Sequence, residues 1–275
     1  MALQNYLLQE ETLFAFNIWD INSAKAVIDG AAEKKKDIIL QTSTNVFNVM
    51  PKKQLREFVK SYACEKEINV WLHLDHCKDK DVMKKAVECK WDSVMVDASE
   101  KSIDQNIDFV NEMTEYAHNN NVLVEAEVGQ IKGVEDHIGS KQGAVASKQD
   151  IKKFLNYTNI DMIAVAFGNA HGVYKGKPTL HYDLVEYTTQ ITKIPFVVHG
   201  GSGLSDETLK RLMSIANVKK INISTEVKLA YRRGILLADT DGKMEEKEFQ
   251  AMNIEQYIEN EIMKLVKDKL SLYGK

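Results

Sequence analysis

The chain is expected to fold as an α/β protein, a (β/α)8 TIM barrel with an additional C-terminal helix, in one domain over residues 1–275. Three observations predict it. Short apolar runs alternate with amphipathic segments from end to end, the pattern of repeated strand–helix units. There are eight such pairs, and a barrel of this kind needs about 250 residues, which leaves room for a terminal helix. Polar side chains gather where the apolar runs stop, and in such a barrel those ends share one rim. A doubly wound open sheet is the rival. It would want a glycine-rich fingerprint after the first strand, and Phe16-Asn17-Ile18-Trp19 is not one.

The elements follow in order. Leu13 to Phe16 reads as a strand ending at Asn17, and Ile21 to Lys36 as a helix with Ala24, Val27, Ile28 and Ala31 on one face. Ile38-Ile39-Leu40 runs into Gln41-Thr42-Ser43-Thr44, and a helix opens after Pro51. Val70-Trp71-Leu72 leads into His73-Leu74-Asp75-His76-Cys77; alternation puts His73 and Asp75 on one face, with His76 where strand gives way to loop. Asp79 to Lys90 is helical, Ser93 to Val96 a strand ending at Asp97, Ile103 to His118 a helix, and Val122 to Gly129 the fifth strand. Gln130 to Ser147 has no period and reads as a mobile loop, with Ser147 capping a helix through Tyr157. Met162 to Phe167 is the sixth strand, Tyr182 to Gln190 a helix, and Pro195 to Val198 the seventh strand. Ser205 caps the next helix, Lys219 to Ser224 is the eighth strand, and Thr225 opens the helix after it. Met244 to Leu272 reads as a charged outer helix. Lys219 and Lys220 begin their strand and are expected on the structural lower face.

A net charge of −4 gives no general attraction for nucleic acid or membrane, so an anionic ligand needs a local site. Cys64, Cys77 and Cys89 are sparse and lack CxxC spacing, which suggests reduced thiols in a cytoplasmic protein. Cys77 adjoins His76 and is a weak metal-ligand candidate, buried cysteine being more often a small hydrophobe. Met1 to Glu11 has no apolar core of the signal-peptide kind, and no run approaches the ~20 residues of a membrane span.

The strand ends carry Asn17, Ser43, Asp75, His76, Asp97, Glu127, His171, His199 and Asn222. His76, His171 and His199 follow strands three, six and seven. Three imidazoles with an open position make a catalytic zinc site, so zinc or a similar divalent ion is expected. His118, His137 and His181 read as solvated, and His73 as a partner orienting Asp75 or a ligand. His199-Gly200-Gly201-Ser202-Gly203 and Asn222-Ile223-Ser224-Thr225 each open a helix on the two loops where this barrel habitually binds phosphate. The sixth strand offers no lysine for a Schiff base, so a carbonyl would be activated by the metal as Lewis acid.

Taken together, His73-Leu74-Asp75-His76, Glu125-Ala126-Glu127-Val128-Gly129, Gly168-Asn169-Ala170-His171-Gly172, His199-Gly200-Gly201-Ser202-Gly203 and Asn222-Ile223-Ser224-Thr225-Glu226 resemble the zinc-dependent class II ketose-bisphosphate aldolases. The resemblance runs from about Phe14 to Lys228. It implies reversible cleavage of fructose or tagatose 1,6-bisphosphate, with a deoxy-keto-gluconate phosphate as the alternative substrate. It implies Zn2+ on His76, His171 and His199, and Glu127 as an alternative ligand. It further implies that Asp75 handles the hydroxyl proton as the carbon–carbon bond breaks, and that Glu135, on a mobile loop, moves the carbon-bound proton of dihydroxyacetone phosphate. Gly172, Gly200, Ser202, Asn222, Ser224 and Thr225 match positions around that phosphate, with Gly201 in the same loop and Asn17 and Ser43 on the substrate side of the rim. A monovalent cation (Na+ or K+) and a homo-oligomer, dimer or tetramer, are typical of the family.

There are two departures. Relatives commonly carry a late arginine that reaches the second phosphate, often across a subunit boundary. No arginine follows Arg233 here, so a lysine substitutes, Arg232 or Arg233 serves, or the substrate's far end differs. Relatives also often place glycine where Asn217 stands, which asparagine tolerates. Two other classes are disfavoured. An amidohydrolase would end its first strand in His-x-His, and a non-catalytic relative would lack some of these ligands.

Overall fold

The computed structural model describes residues 1–8, 11–133, 143–172, 174, 176–247 and 249–273. A short helix α1 (Leu3–Leu7) precedes eight parallel strands that close into a barrel in chain order: β1 (Leu13–Asn17), β2 (Ile38–Ser43), β3 (Val70–Cys77), β4 (Ser93–Val96), β5 (Leu123–Val128), β6 (Met162–Val165), β7 (Phe196–Val198) and β8 (Val218–Ile223). β1 against β8 shuts the ring, with Leu13 beside Lys220 and Phe16 beside Ile223. The outer layer is α2 (Ile21–Glu33), the short α3 (Thr44–Val49) with α4 (Lys52–Glu65), α5 (Lys80–Glu88), α6 (Ile103–His118), α7 (Lys148–Tyr157), α8 (Tyr182–Ile191), α9 (Asp206–Ser214) and α10 (Thr225–Thr240). The expected tail helix is shorter than its sequence suggests, α11 (Ala251–Leu270), since residues 244–247 form turns and a bend rather than the start of that helix.

Local chemistry sets the boundaries. The side chains of Asp20, Ser102, Ser147 and Ser205 accept hydrogen bonds from the third backbone amide of their helices, each cap contributing about 1 kcal/mol. Asn217 takes the left-handed backbone expected of it (φ 71°), and its side-chain amide donates to the Ile194 carbonyl at 2.6 Å. On α10, Gly234 lets α11 approach, since a Cβ there would lie 2.4 Å from Ile258 Cα.

Strand alternation divides the core. Phe14 and Phe16 point outward to the helices with Leu40, Leu72 and Val94, while Leu13, Ala15, Ile39, Trp71, Met95, Met162, Ala164 and Val197 fill the barrel's lower interior. Leu3, Tyr6 and Leu7 of α1 join that inner cluster and floor the barrel, and Trp71 Nε1 donates to the Met1 carbonyl. The expectation that Lys219 and Lys220 belong to the lower face fails for Lys220. It is the third residue of β8, wholly buried, and its side chain runs inside the barrel to Glu125.

One irregularity positions the chemistry. Between Leu74 and Cys77 the register of β3 against β4 shifts, and His76 adopts φ 44°. Such a left-handed non-glycine residue costs about 1–3 kcal/mol. The bulge lets neighbours Asp75 and His76, which a regular strand would send to opposite faces, serve the same rim.

Candidate active site

The rim brings together the imidazoles of His76, His171 and His199, which arrive from the ends of β3, β6 and β7. One nitrogen from each lies within 4.8 Å of the others. His76 Nε2 and His199 Nδ1 are 2.9 Å apart, and the His171 ring centroid is 4.8 Å from that of His76. Each of the first two is held from behind by a carboxylate. His76 Nδ1 donates to Asp97 Oδ2 at 2.9 Å, and His199 Nε2 donates to Glu125 Oε1 at 2.7 Å. A carboxylate accepts only, so in each ring it is the other nitrogen that faces the common centre, where its lone pair can serve a metal once that nitrogen is unprotonated. The donor set suits a borderline-soft divalent ion such as zinc. Asp97 and Glu127 form a second group with His76 inside the same 4.8 Å limit. Glu127 Oε1 accepts from the Ile131 amide, and its buried Oε2 has no hydrogen-bond partner among the described residues. Cys77 lies outside both groups, its thiol turned to the Asp79 carbonyl.

The electrostatics follow from burial and neighbours. Burial opposes a charged His76, yet the hydrogen bond to Asp97 and the Asp75 charge lift it to about 10. Burial, then the neighbouring Asp97, pushes Glu127 up to about 8. Burial and the proximity of His76 and His199 keep His171 well below the usual imidazole range. Burial alone would raise Asp75, but the positive potential of His76, His199 and Lys220 outweighs it and holds the carboxyl low.

Asp75 sits in a cup of amide donors. Gln41 Nε2 donates to it at 3.1 Å, and Asn17 Nδ2 and Asn222 Nδ2 at 3.4 Å each. Gln41 also donates to Asn17 Oδ1, fixing both amides. A carboxylate so held is ionised and poised to accept a proton. Gln41 has no place among the expected site residues, although alternation along β2 puts it on the face of Ser43.

The loops after β6, β7 and β8 interlock beside this centre. Ser202 Oγ accepts from the Ser224 and Glu226 amides, Gly201 N donates to the Asn222 carbonyl, and Tyr174 OH bridges the Ala170 amide and the Gly200 carbonyl. Gly200 is required here (φ 66°), since a Cβ would lie 2.1 Å from the Ala170 carbonyl oxygen. Gly172 follows His171, and Thr225 begins α10. The buried Ser224 Oγ and Asn222 Oδ1 have no hydrogen-bond partner among the described residues, as a polar ligand site would leave them. Glu135 and His137 lie outside the described residues.

Two other expectations change. His73 touches neither Asp75 nor the three imidazoles by hydrogen bond; its Nδ1 bonds Ser93 Oγ at 2.8 Å and its Nε2 lies 3.6 Å from Glu125. His118 is not simply solvated, because Nε2 donates to Asp161 at 2.8 Å. Beside the rim, a cavity of about 300 Å³ is bounded by Asn17, Trp19, Ser43, Val46, Lys228 and Tyr231. Arg233 faces away, paired with Glu261. A larger cavity, about 690 Å³, lies at the opposite end beside α1. There Arg56 donates to the Lys90 carbonyl and His118 to Asp161, so both groups are already partnered.

Comparison with known proteins agrees with this geometry. The family model of class II fructose-bisphosphate aldolases matches residues 5–275. A 6-phospho-5-dehydro-2-deoxy-D-gluconate aldolase from Shouchella clausii is 35% identical over 219 residues, 78% of this chain and 74% of that one. A fructose-bisphosphate aldolase from Geobacillus stearothermophilus is 33% identical over 223 residues, 80% and 77% of the two chains. Among solved structures, the YdjI aldolase of Escherichia coli K12 superposes with a TM-score of 0.83 at 23% identity, over 100% of this chain and 98% of its own. The fructose-bisphosphate aldolase of Campylobacter jejuni does so with 0.81 at 21%, over 98% and 92%. At such identities these two likenesses carry the fold alone. With a match that spans nearly every residue and two relatives above 30% identity, the chain belongs to the class II aldolase family and is a carbon–carbon lyase.

Proposed function

We propose that this aldolase reversibly cleaves a ketose 1,6-bisphosphate, of fructose or tagatose, to dihydroxyacetone phosphate and glyceraldehyde 3-phosphate. One catalytic unit spans residues 1–275. The observation that carries the reading is the convergence of three imidazoles, an amide-cupped Asp75 and two interlocked loops on one rim. His76, His171 and His199 would hold zinc, with Glu127 as a further ligand. When bound, zinc supplies a Lewis acid that draws charge from the substrate's ketone oxygen.

The chain's own groups do the rest. Asp75 takes the proton of the hydroxyl on the carbon that becomes the aldehyde, and Gln41, Asn17 and Asn222 keep it ionised until then. Glu135 is assigned the carbon-bound proton of dihydroxyacetone phosphate. Gly172, Gly200, Gly201, Ser202, Ser224 and Thr225 bind that phosphate through amides and hydroxyls at the start of α10, with a monovalent cation (Na+ or K+) beside the same loops. Asn17 and Ser43 meet the substrate on the other side of the rim, where Lys228 lines the adjoining cavity and supports a lysine in the place of the late arginine. The name of the 35% relative favours one second reading, a 6-phosphorylated deoxy-keto-gluconate. Exposed Leu229, Leu236 and Leu237 at helical spacing on α10, with Met244, Phe249 and Met252 also exposed further along the chain, support a dimer or tetramer. Three cysteines outside any disulfide support a cytoplasmic setting, and no described helix is long and apolar enough to cross a membrane.

The deciding experiment is a cleavage assay on the three sugar phosphates, with chelator and with zinc added back. Zinc-restored cleavage of a 1,6-bisphosphate is expected. Activity that survives chelation and is trapped by borohydride would defeat the reading.

A further inference from the structure

Lys220 is an ammonium group inside a barrel, and its charge near Asp75 is the one part it plays directly in the chemistry at the rim. Alternation along β8 sends it inward one layer beneath Asn222. Its Nζ donates to Glu125 Oε2 at 2.7 Å, and the other oxygen of that carboxylate receives His199 Nε2 at 2.7 Å. All three side chains are wholly buried. Beneath them lies the apolar floor of Leu13, Ile39, Trp71 and Met162.

Stability alone does not explain a charged layer there. Replacing a buried ion pair by well-packed apolar residues is often neutral or stabilising. What the pair does is fix one ring. Glu125 Oε2 has two suitors, Lys220 at 2.7 Å and His73 Nε2 at 3.6 Å, and the latter has no hydrogen-bond partner of its own among the described residues. With Lys220 on Oε2, the carboxylate plane presents Oε1 to His199. Were Lys220 absent, Glu125 would be a buried charge with His199 and His73 competing for it and nothing to pin Oε2.

We infer that Lys220 is a positioning residue for the metal centre: through Glu125 it holds His199 as the Nε2–H tautomer, with the Nδ1 lone pair directed at the point shared with His76 and His171. The inference rests on those three imidazoles being metal ligands, and it concerns how one of them is prepared rather than the reaction itself.

Two measurements test it without reference to aldol cleavage. In the first, zinc affinity of the full chain is measured by competition with a chromophoric chelator, for the parent and for Lys220→Met. The variant should bind zinc about 10- to 100-fold more weakly, the usual cost of losing an outer hydrogen-bonding partner. Parent-like affinity would overturn the inference. In the second, the metal-free parent is labelled with 15N-histidine, and the His199 signals are identified by their loss in His199→Gln. The inference requires the Nε2–H tautomer, and finding the proton on Nδ1 would overturn it even if Lys220→Met failed to fold. A parent that binds no zinc while His199 shows the Nε2–H form would instead sink the metal assignment and leave the tautomer result standing.

Discussion

Asp75 and His73 lie two residues apart on β3, both buried, and their surroundings give them opposite work. Asp75 has three amide donors and positive neighbours, so it stays ionised; Asp75→Ala should keep the fold and bind zinc yet lose about 10²- to 10⁴-fold in turnover, the usual worth of an acid–base group. Near-parental cleavage by that variant would remove Asp75 from its role. His171→Ala should instead lose the metal itself, read as zinc content after dialysis. His73 sits beneath the rim, where burial and then the charge on Lys220 drive it down to about 3 against an ordinary 6.5. The sign follows directly. A histidine kept neutral in the fold stabilises fully above 6.5, and that stability is lost as pH falls from 6.5 toward 3. At pH 5 the loss amounts to about 2 kcal/mol. Metal-free His73→Gln, whose amide can still bond Ser93, should show an acid limb shallower by about that amount in denaturant unfolding at pH 5 and pH 7. Equal acid sensitivity in the two proteins would place the effect elsewhere.

Elements long enough to show their period were legible: each of the eight strands and the helix after it lies within a few residues of where apolar spacing puts it. The polar residues at the strand ends marked the rim for the same reason, since a buried strand tolerates them only where it surfaces. Three features were not legible. The five residues of α1 are too few to display a helical period, although three of them are buried. The bulge at His76 leaves no mark in composition, because it is a matter of register between two strands. Lys220 was misplaced because nearness to a strand's start says nothing about side-chain direction: alternation with Asn222 two residues on turns it inward, and β8 also begins one residue earlier than its apolar pattern suggests. The floor helix carries its own expectation. Leu7→Ala removes a buried side chain far from the rim and should cost about 2–5 kcal/mol. It should lower the unfolding midpoint while leaving kcat/KM unchanged, and a fall in kcat/KM at temperatures where the variant is folded would show that α1 reaches the chemistry.

On the scale of the molecule, the barrel divides its labour by height: an apolar floor, a middle layer in which the Lys220–Glu125 ion pair lies beside a neutral His73, and a polar rim. The division fits the proposed reading for a chain of net charge −4, in which an anionic sugar phosphate would be attracted by a metal centre, helix-start amides and Lys228 rather than by the surface as a whole. It also ties stability to occupancy. Three imidazoles from β3, β6 and β7 lie close only when the ring is closed, so an ion they share binds the folded chain and not the unfolded one. Free zinc at 100 times its dissociation constant should therefore add about 2.7 kcal/mol. For a chain of this size that is a rise of roughly 5–10 °C in the unfolding midpoint. Magnesium prefers oxygen ligands and should not reproduce the shift. A thermal scan of the chelated protein, repeated with zinc and with magnesium, reads both at once. An unmoved midpoint with zinc, or an equal rise with magnesium, would mean that the three histidines meet for some reason other than a shared ion.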